Sequence, residues 1–295
     1  MGDTNQIFRI AAAVAIGLAL LFVFRLVFNR LTPYDDVKVK QGGGEAAKAA
    51  RITRLGAYLG YAVAVAGSLI MSKQPFWTDI AMFALDGLVA LGVFAGMYYV
   101  VDLTILRRIN NAGEIEKGNL AVAKVEFCAY LALGIIMNAS FAGGGDRSLV
   151  SGMGSAALFS FIGLVTLMLV YTVYTVGWAM RGCGLDTQVL KGNQAAAVEA
   201  GSLLLALATT LWFSIIGDFV GWSDDIKSYL VAAIFSIAVV SVVRSLASLA
   251  TRNMGRTQKG VHHASATKAS VVGFVSIAAG LGVGLALYYD LLQYV

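Results

Sequence analysis

Residues 117–141 read KGNLAVAKVEFCAYLALGIIMNASF, and residues 191–215 read KGNQAAAVEAGSLLLALATTLWFSI. Both open on Lys-Gly-Asn, follow it with alanines, and stay apolar to Phe141 and Ile215. A bilayer core about 30 Å thick needs roughly 20 apolar helical residues, so each stretch is long enough to cross one. The apolar character is continuous. Strands of a membrane barrel would instead alternate apolar and polar residues over about ten positions. Lys117 of the first stretch corresponds to Lys191 of the second, which makes a repeat the first thing to test.

Outward from these two, the same reading finds six more apolar runs. The eight expected spans are Ile7–Phe28, Leu55–Met71, Ile80–Leu106, Leu120–Phe141, Met153–Met180, Ala195–Ile216, Tyr229–Leu249 and Val271–Tyr289. Composition agrees. The 295 residues are 58% hydrophobic and 13% charged, whereas soluble chains are about 25% charged. That is too little charge for a water-exposed surface. The two prolines, Pro33 and Pro75, fall between spans.

Basic residues set the orientation. Lys38, Lys40, Arg51, Arg54, Arg107, Arg108, Lys117, Arg181, Lys191, Arg252, Arg256 and Lys259 collect in or beside the loops after spans one, three, five and seven. The other side carries Arg9, Lys73, Arg147 and Lys227 among the acids Asp3, Asp79, Asp146, Asp218, Asp224, Asp225 and Asp290. Basic loops stay in the cytoplasm. Both termini are therefore expected outside, in the periplasm of a bacterial inner membrane. The same asymmetry accounts for the net charge of +5 without nucleic acid, for which no aromatic-basic motif is present.

A slide that lays Lys117 on Lys191 aligns four helical hairpins. Gly44, Gly118 and Gly192 fall in register, as do Ala47, Ala121, Ala195 and Ala269. The expected units are 1–74, 75–148, 149–222 and 223–295, forming one membrane domain. Each unit holds two spans, so successive units enter the membrane in the same sense, as parallel repeats. The fold class is thus an all-α membrane protein, with eight transmembrane helices in four parallel two-helix repeats of about 74 residues. A pseudo-fourfold ring and a pair of four-helix units both satisfy this pattern. In the repeated Lys-Gly-Asn, Gly118 and Gly192 give the chain freedom to turn. Asn119 and Asn193 are favoured helix N-caps. The alanines after them leave a smooth face for close helix approach. A role for the two asparagines in holding a ligand is the competing reading.

The stretch from Leu106 to Asn119, followed by Leu-Ala-Val-Ala-Lys-Val-Glu, resembles the bacterial family called domain of unknown function 350, whose members include YjfL-type inner-membrane proteins. In that family a Glu-Ile-x-x-Gly-Asn-x-Ala-x-Ala pattern joins two helices, and tandem copies are usual. Glu114, Ile115, Gly118, Asn119, Ala121 and Ala123 match it. The third unit keeps Val189, Gly192, Asn193, Ala195 and Ala197 but has Gln188 in place of Glu114. Glu45 and Thr267 stand where the first and fourth units would carry the Asn. The resemblance implies a membrane protein in the setting of envelope stress, encoded beside ATP-grasp enzymes of the glutathionylspermidine type.

Ionisable residues inside a membrane are costly and count as functional candidates. Here they are Arg25, Asp86, Asp102, Lys124, Glu126, Glu199 and Arg244. All but Asp86 fall in the cytoplasmic third of their spans, and Asp86 sits in the outer third of span three. Glu126 or Glu199 paired with Arg244 would form a polar layer around a cytoplasm-facing vestibule. The competing reading has arginines snorkelling and carboxylates knitting helices together. No cofactor or metal is expected. His262 and His263 are adjacent and so do not face one site, and the glycine runs lack a phosphate-loop signature.

No nucleophile stands at readable spacing from a base, so the chain is not expected to be an enzyme. The leading expectation is a scaffold or a subunit of a larger membrane complex or homo-oligomer, its partner being the lipid bilayer. The alternative is a transporter or channel for a small cation or polyamine.

Overall fold

A computed structural model describes residues 2–32, 43–69, 75–104, 110–142, 149–180, 184–216, 222–250 and 266–293. Among them there is no strand. The helices are α1 (Gly2–Leu31), α2 (Gly43–Ala66, continued by a 3-10 turn Gly67–Leu69), α3 (Phe76–Thr104), α4 (Asn111–Glu116), α5 (Leu120–Phe141), α6 (Leu149–Met180), α7 (Leu185–Leu190), α8 (Gln194–Ile215), α9 (Trp222–Ala250) and α10 (Ala266–Gln293). Over the described residues every expected span falls on a helix or its terminal turn, and the stretches 120–141 and 194–215 keep their expected limits to within a residue. The short helices α4 and α7 were not expected, because each occupies a stretch read only as a connection.

Among the described residues, six helices contain a segment long and apolar enough to cross a membrane: α1, α3, α5, α6, α8 and α9. The described residues of the other two long helices fall short of that measure. In α2 the first half carries Glu45, Lys48, Arg51 and Arg54. In α10 the described apolar part runs from Lys268 to Gly282.

Packing follows side-chain size. The small-residue helices α2, α5, α8 and α10 lie side by side in that order, while α1, α3, α6 and α9 flank them. The row is parallel, because each contact joins residues about one repeat apart. Gly56 meets Phe127, Cys128 meets Gly201, and Ser202 meets Gly273. Without side chains between them, backbones approach closely. A methyl on Gly134 would overlap the Gly60 carbonyl, and one on Gly60 would overlap the Tyr130 carbonyl. The ends of the row, α2 and α10, make no substantial contact with each other among the described residues.

The middle helices α5 and α8 are 67% and 61% buried over their apolar windows, against 17% for α1 and 22% for α9. That contrast separates an inner row from flanking helices with bare outer faces. The flanking helices carry exposed Leu18, Phe22, Leu169, Val173, Phe235 and Leu246, suited to lipid. A second seam is aromatic. Phe24 stacks on Tyr61 at 4.3 Å, and Phe28, Tyr58, Phe94 and Tyr130 close around them, joining α1, α2, α3 and α5.

Candidate functional site

The repeated Lys-Gly-Asn is a double cap. Helix α4 ends with Gly118 N–H donating to Ile115 O and Asn119 N–H donating to Glu114 O. This is the Schellman pattern, which needs a left-handed residue after the helix. Gly118 supplies it at φ +87°, and Gly192 at +78° ends α7 in the same way. The next residue then starts the row helix. Asn119 Oδ1 accepts from the N–H groups of Ala121 and Val122, and Asn193 Oδ1 accepts from those of Ala195 and Ala196.

The remaining amide nitrogens explain the polar residue that precedes each turn. Asn119 Nδ2 donates to Glu114 Oε2, and Asn193 Nδ2 donates to Gln188 Oε1, both at 3.3 Å. Glutamine therefore serves where the family pattern has glutamate. Asn119 also reaches the next unit, donating to the carbonyl of Leu190 at 3.0 Å, at the end of α7. All these bonds are internal to the fold, so the cap reading accounts for both asparagines.

Four charged candidates lie buried or paired within the described residues. Glu199 on α8 pairs with Arg244 on α9, Oε1 to Nη2 at 3.3 Å. Tyr174 on α6 completes the cluster. Its hydroxyl donates to Glu199 Oε1 at 3.1 Å and accepts from Arg244 Nε at 3.0 Å. The guanidinium also lies 5.2 Å from the Tyr174 ring centre, in cation–π range. Arg244 Nη2 further donates to the Glu199 carbonyl, while Nη1 is buried with no hydrogen-bond partner among the described residues. The cluster is not part of the repeat. One unit earlier, Val125 stands in the place of Glu199 and Val170 in the place of Arg244.

Glu126 is 2% exposed and Arg244 4%. These side chains are packed between helices rather than set around an opening. The register that places Gly56 against Phe127 sets Arg54 about level with Glu126. Asp86 is also buried and accepts from Ser68 Oγ at 2.6 Å. Lys124 Nζ donates to Gln194 Oε1 at 2.7 Å across α5 and α8. Arg25 is exposed. The side chain of Asp102, like His262 and His263, lies outside the described residues. Among the described residues, no group of three His, Cys, Asp or Glu could hold a metal ion.

Two contributors were not singled out from the sequence. Tyr174 is one. Asn138 is the other, which joins three row helices near their C-terminal ends. Its Nδ2 donates to the Val63 carbonyl, and its Oδ1 accepts from Trp212 Nε1, both at 2.7 Å. A signal existed for each, since Asn138 and Trp212 are 74 residues apart and Tyr174 and Arg244 are 70 apart. In this fold a separation near one repeat marks neighbours.

The profile of the family described as Domain of Unknown Function (DUF350) matches residues 3–141 and again 148–287. The chain belongs to the DUF350 family. Its two tandem DUF350 copies divide the helices evenly, α1 to α5 in the first and α6 to α10 in the second. A UPF0719 transmembrane protein of Aquifex aeolicus (strain VF5) is 27% identical over 123 residues, 42% of this chain and 44% of that protein. The match thus spans under half of that relative. No solved structure matches the chain. Within each DUF350 copy the two row helices touch through glycine: α2 and α5 at Gly60 and Gly134, α8 and α10 at Gly280. The Glu199–Arg244–Tyr174 cluster lies wholly in the second copy.

Proposed function

We propose that this DUF350 protein is a non-enzymatic scaffold, or a subunit of a larger assembly, in a bacterial inner membrane. In this reading all eight long helices cross the bilayer as four parallel two-helix units, with both termini in the periplasm. Support for counting α2 and α10 as spans comes from the row, because both run parallel to and against helices that are long and apolar enough. The observation that carries the scaffold reading is the solid interior. The row helices meet backbone to backbone, and Glu199 of α8 pairs with Arg244 of the flanking helix α9. Conduction needs a continuous polar path.

The test is reconstitution of the purified chain in liposomes, with potassium, protons and spermidine as probes. The scaffold reading expects no flux above empty liposomes. A saturable flux that Glu199→Gln or Arg244→Met alters would sink it.

The alternative is a carrier or channel for a small cation or polyamine, and one observation favours it. Arg244 Nη1 is a buried donor without a partner among the described residues, which costs free energy unless something at times accepts from it. Its cluster occupies positions that hold valine, Val125 and Val170, one unit earlier. The flux assay decides between the two readings.

A further inference from the structure

The row helices use two faces, and three successive contacts show which is which. The forward face of α2 puts Gly56 against Phe127 of α5, and that of α5 puts Cys128 against Gly201 of α8. The forward face of α8 puts Ser202 against Gly273 of α10. Further out, Gly60 meets Gly134, and Ala206 meets Gly280. The forward series is therefore Gly56, Cys128 and Ser202, and the receiving series is Phe127, Gly201 and Gly273.

Carried one step beyond each end, this pattern names two faces that the chain leaves bare. The step from Gly56 to Cys128, taken onward from Ser202 and Ala206, falls on Phe274 and Ala278 of α10. The same step, taken back from Phe127 and Gly134, falls on Leu55 and Ala62 of α2. Phe274 is 75% exposed and Leu55 50%. Ala62 and Ala278 are exposed, as are Ala66 and Gly282 one turn further along the same stripes. Positions that are covered in the middle of the row are thus open at its two ends, and among the described residues α2 and α10 make no substantial contact with each other.

We propose that a second copy of this chain occupies these faces head to tail, α10 of one copy against α2 of the next. The argument is continuity, since the contact would be a fourth instance of one already made three times. Chemistry fits the outer half, where Ala278 and Gly282 would face Ala62 and Ala66. Small residues there allow the close approach that drives association in lipid. The flanking helices, by contrast, present leucine, valine and phenylalanine to the bilayer. Such a contact joins two different patches, so it is heterologous and builds a ring or an open array rather than an isologous pair. The proposal deepens the scaffold reading and rests on it in placing α2 and α10 within the bilayer. Solute flux would sink that reading while leaving the contact itself to the test below.

The test is cysteine cross-linking in native membranes with two differently tagged chains, one carrying Ala62→Cys and the other Ala278→Cys. The unsubstituted chain is the control for Cys128 and Cys183. A heterologous contact predicts a mixed-tag dimer at least about tenfold above the homodimer from either variant alone. Equal yields from one variant alone would mean an isologous contact and overturn the proposal. A cross-link within one chain carrying both cysteines would show the row closing on itself and overturn it too. No product in any combination would leave these faces to lipid or to another protein, and the proposal would fall in that case as well. A second measurement uses Ala278→Trp in mild detergent. Native mass should fall to a single chain while thermal unfolding stays unchanged, and retention of the larger mass would count against the contact.

Discussion

Gly134→Ala adds one methyl group at the tightest place in the row. The new carbon would be driven into the backbone of Gly60 on α2, against its carbonyl carbon, oxygen and Cα. A flexible side chain could swing away, but two helix backbones cannot, and α5 is held on its other side by α8. Overpacking in a well-filled core costs about 1–3 kcal/mol, and the absence of a yielding neighbour puts this case at the upper end. Against that, alanine is favoured over glycine within a helix by about 0.5–1 kcal/mol. The net expectation is a loss of about 2 kcal/mol, or roughly thirtyfold in the unfolding equilibrium.

Gly92→Ala is the matched control. Gly92 also sits in a long apolar helix, α3, but a methyl there meets nothing within 4 Å. The same chemical change should then be neutral or stabilising by up to about 1 kcal/mol. Both variants would be unfolded in mixed micelles of mild detergent and dodecyl sulfate, with helicity followed by circular dichroism. The decisive quantity is the difference between them. Were Gly134→Ala to unfold within about 0.5 kcal/mol of Gly92→Ala, the glycine contact would not be what holds α2 to α5, and the packing argument would fail.

Three further expectations follow from the same geometry. Arg244→Met leaves Glu199, whose side chain is 15% exposed, without its cation and should cost about 3 kcal/mol, the lower end for a buried pair; adding Glu199→Gln should restore most of it, and a double variant as unstable as the single would refute the pairing. Asn193→Ala should cost about 1 kcal/mol as a lost helix cap, and Asn119→Ala more, because Asn119 also binds the Leu190 carbonyl; equal losses in thermal unfolding would remove the bridge between units. Cysteine introduced at Thr4 should react with an impermeant maleimide added to intact cells, and cysteine at Lys117 only after lysis; the opposite pattern would invert the topology.

Different physical signals made different parts of this fold legible. The long helices were readable because each carries a continuous apolar run, a signal averaged over many residues. Loop chemistry was readable at Gly118 and Asn119 because a left-handed turn and an N-cap each accept few residue types. The short helices α4 and α7 were not readable. Each shows less than two turns of pattern, and Glu114 and Gln188 look like ordinary loop residues until the asparagine amides reach them. The Glu199–Arg244 pair was open to reading as one of two choices, since Glu126 and Glu199 both lie within about the first two turns of a row helix. Tyr174 was not, because a tyrosine in an apolar span gives no sign of its partner.

Helix phase is where the repeat itself misled. The cap motifs align when Gly118 is laid on Gly192, and a uniform slide of that length assigns equivalent faces to all four units. The contacts say otherwise. Cys128 and Ser202 hold the same place on that slide, but Gly56 and Cys128 do so only on one that is two residues shorter. Two residues amount to about 200° around a helix of about 3.6 residues per turn, enough to exchange a buried face for a bare one. On the uniform slide Phe127 corresponds to Thr53, which is buried. On the contact register it corresponds to Leu55, which is half exposed. The shared caps fix where a row helix begins, and close backbone contacts fix how it is rotated. Only the second decides which residues α2 and α10 offer to another molecule.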